Sequence, residues 1–339
     1  SMFQLLYLCR YSLYFIIGFY VWKYLPVKDI ERYILILLFA LLINSVYGIY
    51  EFINYLLQGV FGVRANGFWG LILGAQLEPG ISDPGNFAMY IAMSLLINMF
   101  YISFMKPSGA KKTLAIISLF LGFITLHMTM SRTEIVSFWI ICLYLLLFMR
   151  SKSMHRMIMV SFLLTALAGL SLVLYLGADT FQFIILRLSS TLGEFTVEEG
   201  RFSQVYNLLL YLQDHFIHWW GHGISSWRLY KDEFYSKGLI SFASGSLYSG
   251  YSTIFWDAGL IGILIWIFWI KKHFLILKNI KNKVKEASWA AMSLKAILIC
   301  ILVVMLSTST PMHNFRLMGY LSFLFGLFLK YSYQKYKLK

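Results

Sequence analysis

Acidic side chains are scarce in this chain, with 15 Asp and Glu among 339 residues against 29 Lys and Arg. Charged residues of both signs reach only 13%, about half the share that a soluble globular surface requires, while hydrophobic residues make up 59% and aromatics 18%. Water is therefore not the main solvent of this protein. Cysteine is nearly absent too. Cys9, Cys142 and Cys300 each lie inside a hydrophobic run with no metal-ligand spacing, which excludes a disulfide scaffold and a zinc module and leaves small apolar packing residues. No Asp-x-Asp pair occurs, and no metal or other cofactor is expected. Ser1 ahead of Met2 reads as a scar of tag removal, and Arg10 in the first run argues against a cleavable signal.

What the chain has is apolar runs. Nine are separated by short charged patches: 3 to 22, 33 to 58, 87 to 105, 113 to 130, 135 to 149, 157 to 177, 252 to 270, 287 to 306 and 317 to 329. A run of about 20 residues spans a hydrocarbon core of about 30 Å as a helix. The fold expected is an all-α polytopic membrane protein of nine transmembrane helices, residues 1 to 339 forming one membrane domain. The stretch 178 to 251 is too long for a tight connection and too polar to span, so it is expected as a helical loop domain inserted between spans.

The net charge of +14 does not point to nucleic acid, because of where the charges fall. If the nine helices alternate, nineteen of the 29 basic residues share one side: Lys23, Lys28 and Arg32; Lys106, Lys111 and Lys112; Arg150, Lys152 and Arg156; six lysines from Lys271 to Lys285; and four from Lys330 to Lys339. By the positive-inside pattern that side is cytoplasmic. The same alternation puts the N-terminus outside. The outer side keeps few basic residues and prefers arginine: Arg64, Arg132, Arg187, Arg201, Arg228 and Arg316 against Lys231 and Lys237. Such arginines serve either as headgroup anchors and loop ion pairs or as binding groups.

The outer segments have their own texture. Residues 61 to 86 are dense in glycine, and Pro79-Gly80 and Pro84-Gly85 make turns, so irregular backbone there is expected to line a water-filled cavity rimmed by Arg64. Residues 200 to 212 show helical apolar spacing behind Glu198 and Glu199, which suits an amphipathic helix on the membrane surface. Trp219, Trp220 and Trp227 suit the interface. His127 reads as a buried helix residue, and His155 and His273 fall on the cytoplasmic side.

Four features in order along residues 60 to 265 carry a family resemblance. They are Arg64-Ala-Asn-Gly67 followed by Glu78-Pro79 and Asp83-Pro84-Gly85-Asn86 entering a helix; Ser131-Arg132-Thr133 opening the fifth run; Gly200-Arg201, an aliphatic-aromatic helix and Gly221-His222-Gly223; and Tyr248-Ser249, nine residues, then Gly259-Leu260-Ile261-Gly262. In these the chain resembles the bacterial O-antigen and capsular polysaccharide polymerases of the Wzy type and their relatives, the O-antigen ligases. The resemblance implies a metal-independent glycosyltransferase of the C-type superfamily in the bacterial inner membrane, its site facing the periplasm or exterior. Its substrates would be undecaprenyl-diphosphate-linked glycans, built into lipopolysaccharide or capsule, with a flippase and a chain-length regulator as partners beside membrane lipids.

The same resemblance implies site roles. Arg64, Arg132 and Arg201 would act on the lipid diphosphate, since guanidinium groups offer paired donors to a leaving group that gains charge. His222, His313, Glu78, Asp83 and Tyr248 are the outer candidates for the base that takes the acceptor hydroxyl proton. Tyr248 stands where the ligases have histidine, which favours polymerase over ligase and suggests that Tyr248 positions the acceptor sugar. Ser131, Thr133, Arg187, Arg228 and Arg316 complete the expected substrate-binding set. A ligase transferring glycan to lipid A core stays as one alternative. A lipid-linked oligosaccharide flippase is another, although no inverted repeat or matched pair of broken helices is visible.

Overall fold

In hydrocarbon an apolar segment satisfies its own backbone polar groups only as a helix or within a closed barrel. The computed structural model takes the first course, and all regular structure among its described residues is helical. It describes residues 16–21, 23–26, 29–57, 84–129, 131–149, 151–176, 220–222, 250–283, 288–306 and 315–337. The long helices are α1 (Ile30–Leu57), α2 (Pro84–Phe100), α3 (Gly109–Met128), α4 (Arg132–Phe148), α5 (Lys152–Leu176), α6 (Gly250–Lys283), α7 (Ser288–Val304) and α8 (Phe315–Lys337). Four stretches are long and apolar enough to cross a membrane: Ile30–Asn54, Gly85–Met105, Gly109–Met128 and Thr253–Asn279. Ser288–Val304 and Tyr320–Tyr331 are shorter apolar helices. Most of the first apolar run, and the expected loop domain at 178 to 251 apart from 220–222 and 250–251, lie outside the described residues.

Sequence signals set the helix starts. Pro84 occupies the first position of α2, where its missing N–H costs no hydrogen bond. Ser131 is the N-cap of α4. At the other end of α2 a single π turn, Tyr101–Met105, runs into Lys106 in a left-handed conformation (φ 48°), and the chain reverses into α3 within a few residues.

Contacts fix the directions. α1 and α3 run parallel: Lys111 pairs with Glu31 at 3.0 Å near one end, and the Thr125 hydroxyl donates to the Ser45 carbonyl at 3.1 Å toward the other. α2 runs against both, because Phe87 packs at Gly48 while the Tyr101 hydroxyl donates to Glu31 at 3.0 Å. Ser103 reaches the Met154 sulfur, which puts the start of α5 at the Glu31 end. Trp289 of α7 packs on Phe328 and Tyr331 of α8, and the Lys330 ammonium donates to the Leu25 carbonyl at 2.6 Å. At the opposite end the Gly250 amide donates to the Met305 carbonyl at 2.9 Å and the Tyr251 hydroxyl to the Leu302 carbonyl at 3.1 Å. The even-numbered helices therefore all start at one end of the bundle, and the basic connection 106 to 112 lies at the other.

The core is built around α2. Phe87 through Tyr101 are all buried, and α1, α3, α4, α5, α7 and α8 all touch this helix. Polar side chains inside it find partners: Asn98 donates to the Ala115 carbonyl at 2.8 Å and to the Ser118 hydroxyl at 3.1 Å, and Ser94 bonds the Tyr90 carbonyl and the Tyr320 hydroxyl. Gly122 lets α3 close on it, since a Cβ there would sit 2.8 Å from Leu95.

The seventh apolar run was expected to end at residue 270, but α6 continues to Lys283. Its part after the break at Gly259, Leu260 to Lys283, alone makes about 36 Å of helix, longer than the hydrocarbon core. Lys271, Lys272 and Lys278 do not stop it, because lysine is a good helix former whose stem can run along apolar surface while the ammonium stays in water.

Candidate functional site

Because α2, α4, α6 and α8 start together, the bundle end that carries their N-termini collects several of the residues singled out above. Pro84, Gly85 and Asn86 open α2, Ser131, Arg132 and Thr133 open α4, and Arg316 lies in the first turn of α8. Arg132 and Thr133 are half-buried.

The α4 start is a compact polar knot. The Ser131 hydroxyl donates to the Glu134 carboxylate, the Ser131 amide donates to the Thr129 hydroxyl at 3.3 Å, and the Ser131 carbonyl accepts from Ile135 at 3.0 Å. Glu134 is only 3% exposed. It lies in the first helical turn, a position that the α4 dipole suits to an acidic side chain. The sequence reading named Ser131, Arg132 and Thr133 and passed over Glu134. Two signals were available: the Ser-x-x-Glu pattern of a helix start, and an acidic side chain facing a membrane bundle.

The second feature is a break in α6. Gly259 has φ 63° and ψ −158°, a conformation that essentially only glycine adopts, and it interrupts the helix. In an unbroken helix the Trp256 carbonyl would accept from the amide of residue 260. Here it accepts from the His222 amide at 2.8 Å. Gly221 has φ 84°, and a Cβ on it would lie 2.6 Å from the Gly259 nitrogen and 2.7 Å from the Ala258 carbonyl carbon. The His222 ring stacks on the Trp256 indole, centroids 4.0 Å apart and planes 16° off parallel. Trp256 is fully buried. Two motifs separated in sequence, Gly221-His222-Gly223 and Gly259-x-x-Gly262, thus touch through Gly221, His222 and Gly259. Trp256 was not singled out from sequence, where it read as one more aromatic in an apolar run.

The His222 and Ser131 features flank the same helix. The C-terminal half of α7 meets the start of α6 through Leu302 and Met305, and α7 also packs against α4. Trp220, expected at the interface, is 67% exposed.

His127 lies in a helix as the sequence suggested, and it is half-buried. The Trp139 indole can only donate, so Nε2 of His127 accepts from it at 3.2 Å, and Nδ1 donates to the Phe123 carbonyl at 2.9 Å. Both nitrogens are committed to structure. Arg64, Glu78, Asp83, Arg187, Arg201, Arg228, Tyr248 and His313 lie outside the described residues. Among those described, no three His, Cys, Asp or Glu side chains gather as metal ligands. No protein-family model matches this chain, and neither does any curated protein.

Proposed function

We propose that this protein is a polymerase that joins undecaprenyl-diphosphate-linked oligosaccharide repeat units into O-antigen or capsular polysaccharide on the outer face of a bacterial inner membrane. The observation that carries the reading is the gathering, at one bundle end, of residues from all four family-like features: Pro84 to Asn86, Ser131 to Thr133, and Gly221-His222 against Gly259. The basic connection 106 to 112 lies at the opposite end, as expected if that end is cytoplasmic.

The chemistry is a displacement at the anomeric carbon of the growing chain. A hydroxyl of the incoming lipid-linked unit attacks that carbon, the bond to the lipid diphosphate breaks, and its electron pair leaves with the diphosphate. Arg132, with Arg64 and Arg201, binds the diphosphate and strengthens its hold as charge accumulates. The hydroxyl proton passes to a base on the same face. His222 is the candidate among the described residues. Ser131 and Glu134 fix the first turn of α4 and with it the backbone that carries Arg132.

The test is direct incubation of the purified protein with lipid-linked repeat units, followed by gel separation. A ladder of products supports the polymerase. Transfer only to lipid A core makes it a ligase, and no transfer in either assay leaves transport of the lipid-linked glycan.

A further inference from the structure

We infer that the break in α6 is a receptor for residues 220–222, and that Trp256 is the positioning residue that holds the His222 ring at the bundle end. Docking stands on the coordinates alone; its consequence for catalysis rests on the function proposed above.

Three contacts of different kinds converge on this notch. The first is backbone to backbone. The His222 amide donates to the Trp256 carbonyl at 2.8 Å, three residues before the break at Gly259, which ties the segment to the helix backbone itself. The second is steric. Gly221 approaches Ala258 and Gly259 so closely that a Cβ would fall within 2.8 Å of three of their backbone atoms, and its φ of 84° is itself one that glycine tolerates. The third is aromatic. His222 lies face to face on an indole that is fully buried, so the platform itself has little freedom to turn.

Gly221 and Gly259 are thus paired requirements. One allows the loop to come close, and the other opens the helix to receive it. The connection between α5 and α6 is held against α6 at this point, within its own length and well before the chain enters that helix. His222 consequently inherits the rigidity of a bundle helix, which is what a base needs if its nitrogen is to stay within hydrogen-bond reach of an acceptor hydroxyl.

The experiment places a nitroxide spin label at Trp220→Cys, an exposed position beside the notch, in a background without other reactive cysteines and in lipid nanodiscs. The label is expected to be motionally restricted in that parent and in Trp256→Phe, which keeps an aromatic platform. It is expected to gain mobility in Gly221→Ala, which blocks docking from the loop side without altering any long helix, and in Trp256→Leu. Polymer formation should fall at least about tenfold in Gly221→Ala and Trp256→Leu and stay mostly intact in Trp256→Phe. An unchanged spectrum in Gly221→Ala overturns the docking, whatever the activity. A mobile label with full polymer yield overturns the positioning role. A wild-type protein that makes no polymer, with the spectra behaving as expected, removes the catalytic consequence and leaves the notch standing.

Discussion

Helices α2 and α6 are near equals in hydropathy, with mean values of 1.7 and 1.9 over their membrane-length stretches, yet 89% of the α2 stretch is buried in protein and 6% of the α6 stretch. Leu95, Leu96 and Ile97 of α2 have no exposure, whereas Leu264, Ile265 and Phe268 of α6 are 57 to 65% exposed. Hydropathy reports that a helix belongs in an apolar solvent and is silent on whether protein or lipid supplies it. The two helices differ in their other residues. α2 carries Gly85, Ala88, Ala92, Ser94 and Asn98, small groups that admit neighbours and polar groups that bond to them. α6 confines its small residues, among them Gly250, Thr253, Ala258, Gly259 and Gly262, to its first turns, and beyond Gly262 it presents mostly large side chains that are exposed.

Arginine substitutions should break this contrast most sharply. Leu96→Arg places an unpaired charge among six helices, at a cost of more than about 4 kcal/mol, and should leave no monodisperse protein after detergent extraction. Leu264→Arg meets lipid instead. It should lower the inserted yield, through a membrane cost of about 3 kcal/mol, while the extracted fraction remains folded. A reversal of the two outcomes would exchange the roles of the helices. Truncation should give a smaller difference: Ile97→Ala should lose about 2 to 5 kcal/mol in detergent unfolding, and Ile265→Ala less than about 0.5 kcal/mol. The smallest effect concerns polar pairing within α2. Asn98→Leu gives up bonds to Ala115 and Ser118 and should lose about 1 kcal/mol in the same measurement, and unchanged stability would mean that those bonds contribute nothing.

Local chemistry was legible in the sequence wherever one residue decides the outcome. Ser131 opens a helix as expected, whereas Pro84 and Gly85, expected in a turn, form the first turn of α2, because proline lacks only a donor that a helix start leaves unused. The helix that carries the seventh run extends past it to Lys283, because a lysine stem is compatible with a helix that continues beyond the hydrocarbon. The central place of α2 was hidden, since its hydropathy matches that of the exposed α6. The meeting of His222 with Trp256 was hidden for another reason. It depends on two glycine conformations 38 positions apart, φ 84° at Gly221 and φ 63° at Gly259, and no periodicity connects them. Glu134 went unnoticed because its neighbour Arg132 carried the motif.

The central claim is that the end where α2, α4 and α6 begin is where a lipid-diphosphate-linked glycan binds. Photo-crosslinking tests it most directly, using a lipid-diphosphate glycan with a photoreactive group beside its diphosphate, the protein in nanodiscs, and mass spectrometry to locate the adducts. Labelling of Ser131 to Thr133, of residues 220–222 and of the α6 start, suppressed by excess unmodified substrate, is the result predicted. Suppressible labelling at 106 to 112 or 152 to 156, or none anywhere, would contradict it.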